Sequence, residues 1–285
     1  MDNQTIREAL KLWTKKDRLV NYKKKAIEKY GHISTWQTRD VTDMSHLFQY
    51  KEKFNEDISS WDVSKVTNMR AMFFIATSFN QPLEKWDVSK VTNMRDMFAY
   101  ASSFNQPLEK WDVSKVTHMG CMFDSASSFN QPLEKWDVSK VTDMGSMFYK
   151  ATSFNQPLEN WDVSKVTNMG YMFNSASSFN SSLLNWKFLQ TSLGIYTMFD
   201  KTLLFERFKQ SSNFNIDSLS AGQIVRLMSV RVLRMGFIQF LNMSNLLRVN
   251  REEFGYAERV SSMDIVNQAL LAGDMEFVRS IIEYI

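Results

Sequence analysis

Between Ile33 and Phe199 the large apolar residues return with a period of 25. Trp36, Trp61, Trp86, Trp111, Trp136, Trp161 and Trp186 mark the beat. Ile33, Ile58, Leu83, Leu108, Leu133, Leu158 and Leu183 stand three places before them, and Phe54, Phe79, Phe104, Phe129, Phe154 and Phe179 seven before all but the first. Downstream, Val66, Met69, Met72 and Phe73 recur as Val91, Met94, Met97 and Phe98, and so on to Phe173. Positions i, i+3, i+6 and i+7 share one face of a helix, so VTNMRAMF predicts one or two helical turns with the apolar side inward. A preceding serine (Ser64, Ser89, Ser114, Ser139, Ser164) or the threonine three later can cap them. The NQPLEK stretch carries all four prolines, Pro82, Pro107, Pro132 and Pro157, and is too brief for a helix. It predicts a short extended segment or strand.

Self-similarity at a fixed period outranks any local reading, because it signals a repeat architecture. A unit this short cannot bury enough apolar surface alone. It must stack on its neighbours, which makes residues 31–199 one cooperative array of about seven units.

The string WDVSxVTxMxxMFxxAxxFNQPL resembles the bacterial surface-protein repeat of about 26 residues, a BspA-like variant of the leucine-rich repeat also known as a mycoplasma-type domain of unknown function. The resemblance runs from about Ile33 to Phe199. It implies an α/β repeat solenoid of leucine-rich-repeat type and right-handed, with short parallel strands on one face and short helical turns on the other. It implies no enzymatic activity. Similar proteins occur in bacteria, protists and large DNA viruses, with roles in adhesion or protein binding or with none assigned. The first unit departs from the pattern, with Gln37 in place of Asp and Leu47 in place of Met, and the last carries one inserted residue. Terminal units of a stack are expected to differ because one side faces something other than a repeat.

Outside the array the chain reads as helical. In residues 1–30, Ile6, Leu10 and Trp13 fall on one face, and Ala26, Ile27 and Tyr30 end a second helix before Gly31. This predicts an α-helical N-terminal cap. In residues 200–285 the beat stops, QSSNFNIDS forms a polar break, and Ser220 to about Leu247 is rich in Leu, Val, Ile and Met. The closing segment has the look of an ankyrin-type helix pair, with Ala269 and Leu270, the turn Ala272-Gly273-Asp274, then Phe277, Val278, Ile281 and Ile282. An α-helical C-terminal region is expected there, with capping of the array as one role.

Charge changes the picture only at the start. The chain has a net charge of +3, yet residues 1–30 hold nine Lys/Arg against four Asp/Glu. Lys15, Lys16, Arg18, Lys23, Lys24 and Lys25 are therefore either the solvated face of the cap or a patch for nucleic acid or an anionic surface. No secretory signal and no membrane span is visible. The single cysteine, Cys121, allows no internal disulfide. Together these point to an intracellular protein, cytoplasmic or in a viral particle.

No catalytic constellation, cofactor motif or metal site is expected. His32, His46 and His118 lack ligand spacing, and no phosphate-cradling glycine loop or nucleophile elbow is present. Two rows recur one unit apart. Asp62, Asp87, Asp112, Asp137 and Asp162 read as Asx turns rather than calcium ligands. The other row is the candidate protein-binding ladder: Gln81, Glu84 and Lys85; Gln106, Glu109 and Lys110; Gln131, Glu134 and Lys135; Gln156, Glu159 and Asn160. The expected function is a non-catalytic scaffold for protein–protein interaction. The alternatives are a structural or adhesive component of a surface or viral particle, and nucleic-acid binding through the basic N-terminus.

Overall fold

The computed structural model describes residues 1–15 and 20–181 together with Leu183, Trp186, Met198 and Thr202. Two helices open the chain, α1 (Asn3–Thr14) and α2 (Tyr22–Tyr30). The Asp2 carboxylate accepts from the Gln4 and Thr5 amides and starts α1. The Asn21 side chain does the same for α2 through Lys24, and Gly31, at φ +77°, ends it by donating to the Ile27 carbonyl. Only glycine reaches that conformation without crowding.

Beyond a short 3-10 turn at Ile33–Thr35, the repeats contain neither of the expected elements. Within residues 36–181 no strand and no α-helix forms, which overturns the α/β reading of the array. The VTNMRAMF segment is instead a run of consecutive turns. Met72 N–H bonds Met69 C=O, Phe74 bonds Ala71, and Ala76 bonds Phe73, each three residues back. The amides between them point out of the unit: Met69, Ala71, Phe73 and Ile75 donate to the carbonyls of Asn93, Arg95, Met97 and Ala99 in the next repeat. Every second N–H thus closes a turn and every other one crosses to the neighbour, so all are satisfied. A run of three-residue turns buries residues at the same spacings as a helix. The apolar pattern therefore could not separate the two. NQPLEK is likewise not a strand. The parallel pairing that exists is a file of single bridges through Asp43, Asn68, Asn93, His118, Asp143 and Asn168, inside the segment expected to be helical.

The alternation has a backbone signature. Twelve non-glycine residues, two per repeat, hold φ between +53° and +61°. Among them are Ala71 and Ile75, and their equivalents Asp96 and Tyr100. A left-handed residue every fourth position reverses the chain's curl, which is why no helix propagates.

The apolar rows predicted from sequence form the core. Phe48, Phe73, Phe98, Phe123, Phe148 and Phe173 stack from unit to unit at 5.3–5.7 Å. A second phenylalanine file, from Phe54 to Phe179, runs beside it, and the two rings within each unit lie 4.0 Å apart. From Trp61 on, the repeat tryptophans are buried with their indole N–H groups reaching one unit back: Trp111 donates to Leu83 C=O and Trp136 to Leu108 C=O, both at 2.9 Å. The Ile/Leu three places before each tryptophan is therefore both a core side chain and the acceptor for the next unit's indole.

At its first face the array would leave polar backbone groups without a neighbour, and α1 supplies the partners. In later units Thr N–H donates to the Thr carbonyl one unit back, as Thr67 does to Thr42. Thr42 itself has no such unit before it, and its N–H donates to Asn3 Oδ1 at 2.8 Å. One helical turn on, Arg7 donates to Ser45 C=O at 2.9 Å and to Asp43 C=O at 3.4 Å. Trp13 packs edge-on against Trp36 and His32. The C-terminal helices expected over 200–285, including the ankyrin-like pair, lie outside the described residues.

Candidate interaction surfaces

The glutamines of the expected ladder are tied into the stack. Gln106 Nε2 donates to Asn80 Oδ1 at 3.0 Å, and Gln131 and Gln156 do the same to Asn105 and Asn130. Gln81 reaches both the side-chain and main-chain oxygens of Asn55. Each of those asparagine oxygens also takes the main-chain N–H of the next asparagine in the file, at 2.9 Å between Asn105 and Asn80. At the end of the file Asn180 Oδ1 is buried with no partner. The outer members of the ladder pair between units at the surface: Lys110 with Glu84 at 3.7 Å and Lys135 with Glu109 at 3.0 Å as ion pairs, and Asn160 donating to Glu134 at 2.7 Å. Lys85 is exposed and Glu159 half-exposed in the same rows. Such exposed pairs contribute about 0–1 kcal/mol each.

The aspartates of the WDVS motif form the Asx turns the sequence implied. Asp112 Oδ1 accepts from Ser114 N–H at 3.0 Å, and Asp62, Asp87, Asp137 and Asp162 accept from the serine two places on. The serine hydrogen bonds hold the Asp62 and Asp112 carboxyls below the ordinary carboxylate value. The histidines stay apart: His32 pairs with Ser34, His46 with Gln49 and His118 with Thr117. Among the described residues no group of three or more His, Cys, Asp or Glu is placed to hold a metal ion. Cys121 is half-buried, and burial, with Asp96 and Asp124 nearby, pushes its thiol up to about 12.

A second face lies in the segment whose apolar spacing reads as a helix. It is the outer side of the turn run. Tyr50, Phe74 and Tyr100 meet edge-to-face across three repeats, with ring centroids 5.5 and 5.7 Å apart. Arg70 and Arg95 flank Asp96 at 3.9 and 3.5 Å, and Arg95 also reaches Asp143 at 3.5 Å. Comparing the copies of the repeat with one another would have drawn attention to this face.

The sequence profile described as "Mycoplasma protein of unknown function, DUF285" matches residues 18–132 and 106–214. These two overlapping spans take in well over half of the chain. The chain belongs to the DUF285 family. No curated protein and no solved structure matches it. The DUF285 match begins inside the basic N-terminal segment, where several cations have local partners. Lys15 lies over the Tyr22 ring at 4.1 Å, and Lys23 pairs with Glu56 at 2.5 Å and lies over Trp13. Lys24 sits 3.9 Å from Glu28, and Lys25 lies over Tyr22. Lys16 and Arg18 lie outside the described residues. Between α1 and the first DUF285 repeat runs a groove of about 560 Å³ lined by Arg7, Lys11, Lys15 and Lys51. No helix among the described residues is long and apolar enough to cross a membrane.

Proposed function

We propose that this DUF285 chain is a non-catalytic repeat scaffold for protein–protein interaction. The observation that carries the reading is the strict register of the stack. Hydrogen bonds 25 residues apart bind each unit to the next from Thr42–Thr67 to Thr142–Thr167, so equivalent side chains line up in straight exposed rows. A surface ruled in this way suits a partner that makes the same contact several times or lies along the array. The Glu84–Lys110 and Glu109–Lys135 rows provide one such lateral surface. No metal, cofactor or catalytic role is assigned to any residue.

Removal of one internal repeat tests the reading. A full chain lacking residues 104–128 keeps every interface type and is expected to melt cooperatively. Its affinity for a protein captured by the intact chain should fall, because one row of contacts is lost. Unchanged affinity would make the array a spacer, with recognition elsewhere.

A further inference from the structure

We propose that selective recognition resides on the turn-run face, and that this face takes a segment of another protein carrying apolar side chains flanked by carboxylates. The inference rests on the scaffold reading and names the surface within it. Three independent observations converge.

The first is where the copies differ. Repeats 79–103, 104–128, 129–153 and 154–178 are identical at 18 of 25 positions. Only four positions carry three or more residue types. They are Asn93/His118/Asp143/Asn168, Asp96/Cys121/Ser146/Tyr171, Ala99/Asp124/Tyr149/Asn174 and Tyr100/Ser125/Lys150/Ser175. All lie in the turn run or its bridge. Exposure alone does not explain this, because Lys90, Lys115, Lys140 and Lys165 are fully as exposed and never change. Divergence among these near-identical units is concentrated in the turn run, where Ala99 and Asn174 are buried and the other members of the four positions are partly or fully exposed.

The second is backbone strain. Two of those four positions are the left-handed ones, with φ between +53° and +61°. Glycine suits that conformation best, and a side chain there is disfavoured. Yet no repeat uses glycine, and Tyr50, Tyr100 and Tyr171 carry large side chains there. Side chains kept against the preference of their own backbone mark a surface with another task.

The third is chemistry. Of the four large hydrophobic residues exposed among the described residues, Tyr50, Tyr100 and Tyr171 are on this face, at 62%, 43% and 50% exposure. Tyr50, Phe74 and Tyr100 form one aromatic strip, with Ile75 half-buried beside it. Tyrosine with arginine is the composition that dominates protein-binding hot spots. Arg70 and Arg95 are matched by Asp96 and Asp143, whereas at the Tyr50 end of the strip a groove gathers Lys15, Lys23, Lys51 and Lys53 against only Glu52 and Glu56. The unmatched charge at that end is positive, so the complementary segment is acidic around an apolar anchor.

The test uses the full chain, immobilised, and a phage-displayed library of random peptides about a dozen residues long, of the order that an extended site engages. Selected peptides should combine aromatic or aliphatic side chains with Asp or Glu. Their affinity, read by fluorescence anisotropy, should fall about tenfold or more in the Tyr50→Gly/Tyr100→Gly variant and severalfold in Lys51→Gln/Lys53→Gln. It should be unchanged in Glu109→Gln/Lys110→Gln. The glycine variant suits its backbone positions and should melt within a few degrees of the parent, so a loss of binding is not a loss of fold. Full affinity in a folded glycine variant overturns the proposal. Peptides that depend on Glu109 and Lys110 instead move recognition to the other face and leave the scaffold reading standing. Failure to enrich any peptide above an unrelated immobilised protein counts against both.

Discussion

Ser146 holds φ at +55°, and its hydroxyl lies at a position that takes Asp, Cys or Tyr in neighbouring repeats. A Cβ in this conformation crowds the carbonyl that follows it, at roughly 1–2 kcal/mol. Glycine removes the crowding but is freer in the unfolded chain, which returns about 0.5–1 kcal/mol. Ser146→Gly is thus expected to stabilise by roughly 0.5–1 kcal/mol, seen as a higher urea midpoint with an unchanged slope. A lower midpoint would mean that the side chain packs in a way the backbone argument omits. This conformation was not legible in the sequence. Left-handed positions are usually betrayed by Gly or Asn, and here they are filled by Ala71, Ile75, Cys121 and Tyr171, none of which signals it. Burial was legible: Val66, Met69, Met72 and Phe73 and their copies are all interior, as the apolar rows required.

In the repeat unit, the turn run and the indole bond together hold one unit to the next. Trp111 is buried, with its N–H 2.9 Å from the Leu83 carbonyl, itself out of reach of water. Trp111→Phe keeps most of the ring but leaves that carbonyl without its donor, at about 1–3 kcal/mol. A smaller ring also leaves a gap beside Phe98. Equilibrium unfolding should show a loss of at least that size, with the same slope if the array still melts as one body. The pairing of each tryptophan with the Ile or Leu of the unit before it was visible as a spacing, but not as a bond. Sequence periodicity reports which side chains go inward. It does not report where the amides go, and the distinction between turns and helix rests on the amides. Likewise Gln81, Gln106, Gln131 and Gln156 stood out for their regularity, which reflects at least in part their bonds to Asn55, Asn80, Asn105 and Asn130.

Over the whole molecule, small terms repeat in phase. The WDVS carboxylates accept serine N–H bonds in five successive units, and Asp62 and Asp112 are held below the usual value of 3.8. A lowered folded value means that the stabilisation is present above 3.8 and is lost as the pH falls through the lower folded value. The urea midpoint should therefore drop as the pH goes from 5 to about 2, and Asp112→Asn, which keeps the acceptor without the charge, should flatten that fall. An equal slope in parent and variant would remove these carboxylates as the cause. The crossing amides have a consequence on the same scale. Four files of main-chain N–H groups point toward the far end of the stack in each unit, against three, at Thr92, Ser103 and Asn105, that point back, so one file is in excess. Peptide dipoles aligned in this way sum along an axis as they do in a helix, leaving partial negative charge where the carbonyls emerge. They emerge at the first repeat, under Arg7 and beside Lys11 and Lys15. Arg7, Lys11 and Lys15 of the N-terminal segment thereby lie where that charge emerges and oppose it. Since a file of dipoles carries the same charge at its tip whatever its length, one cap serves any number of copies, and repeats can be gained or lost by duplication without redesign of the end.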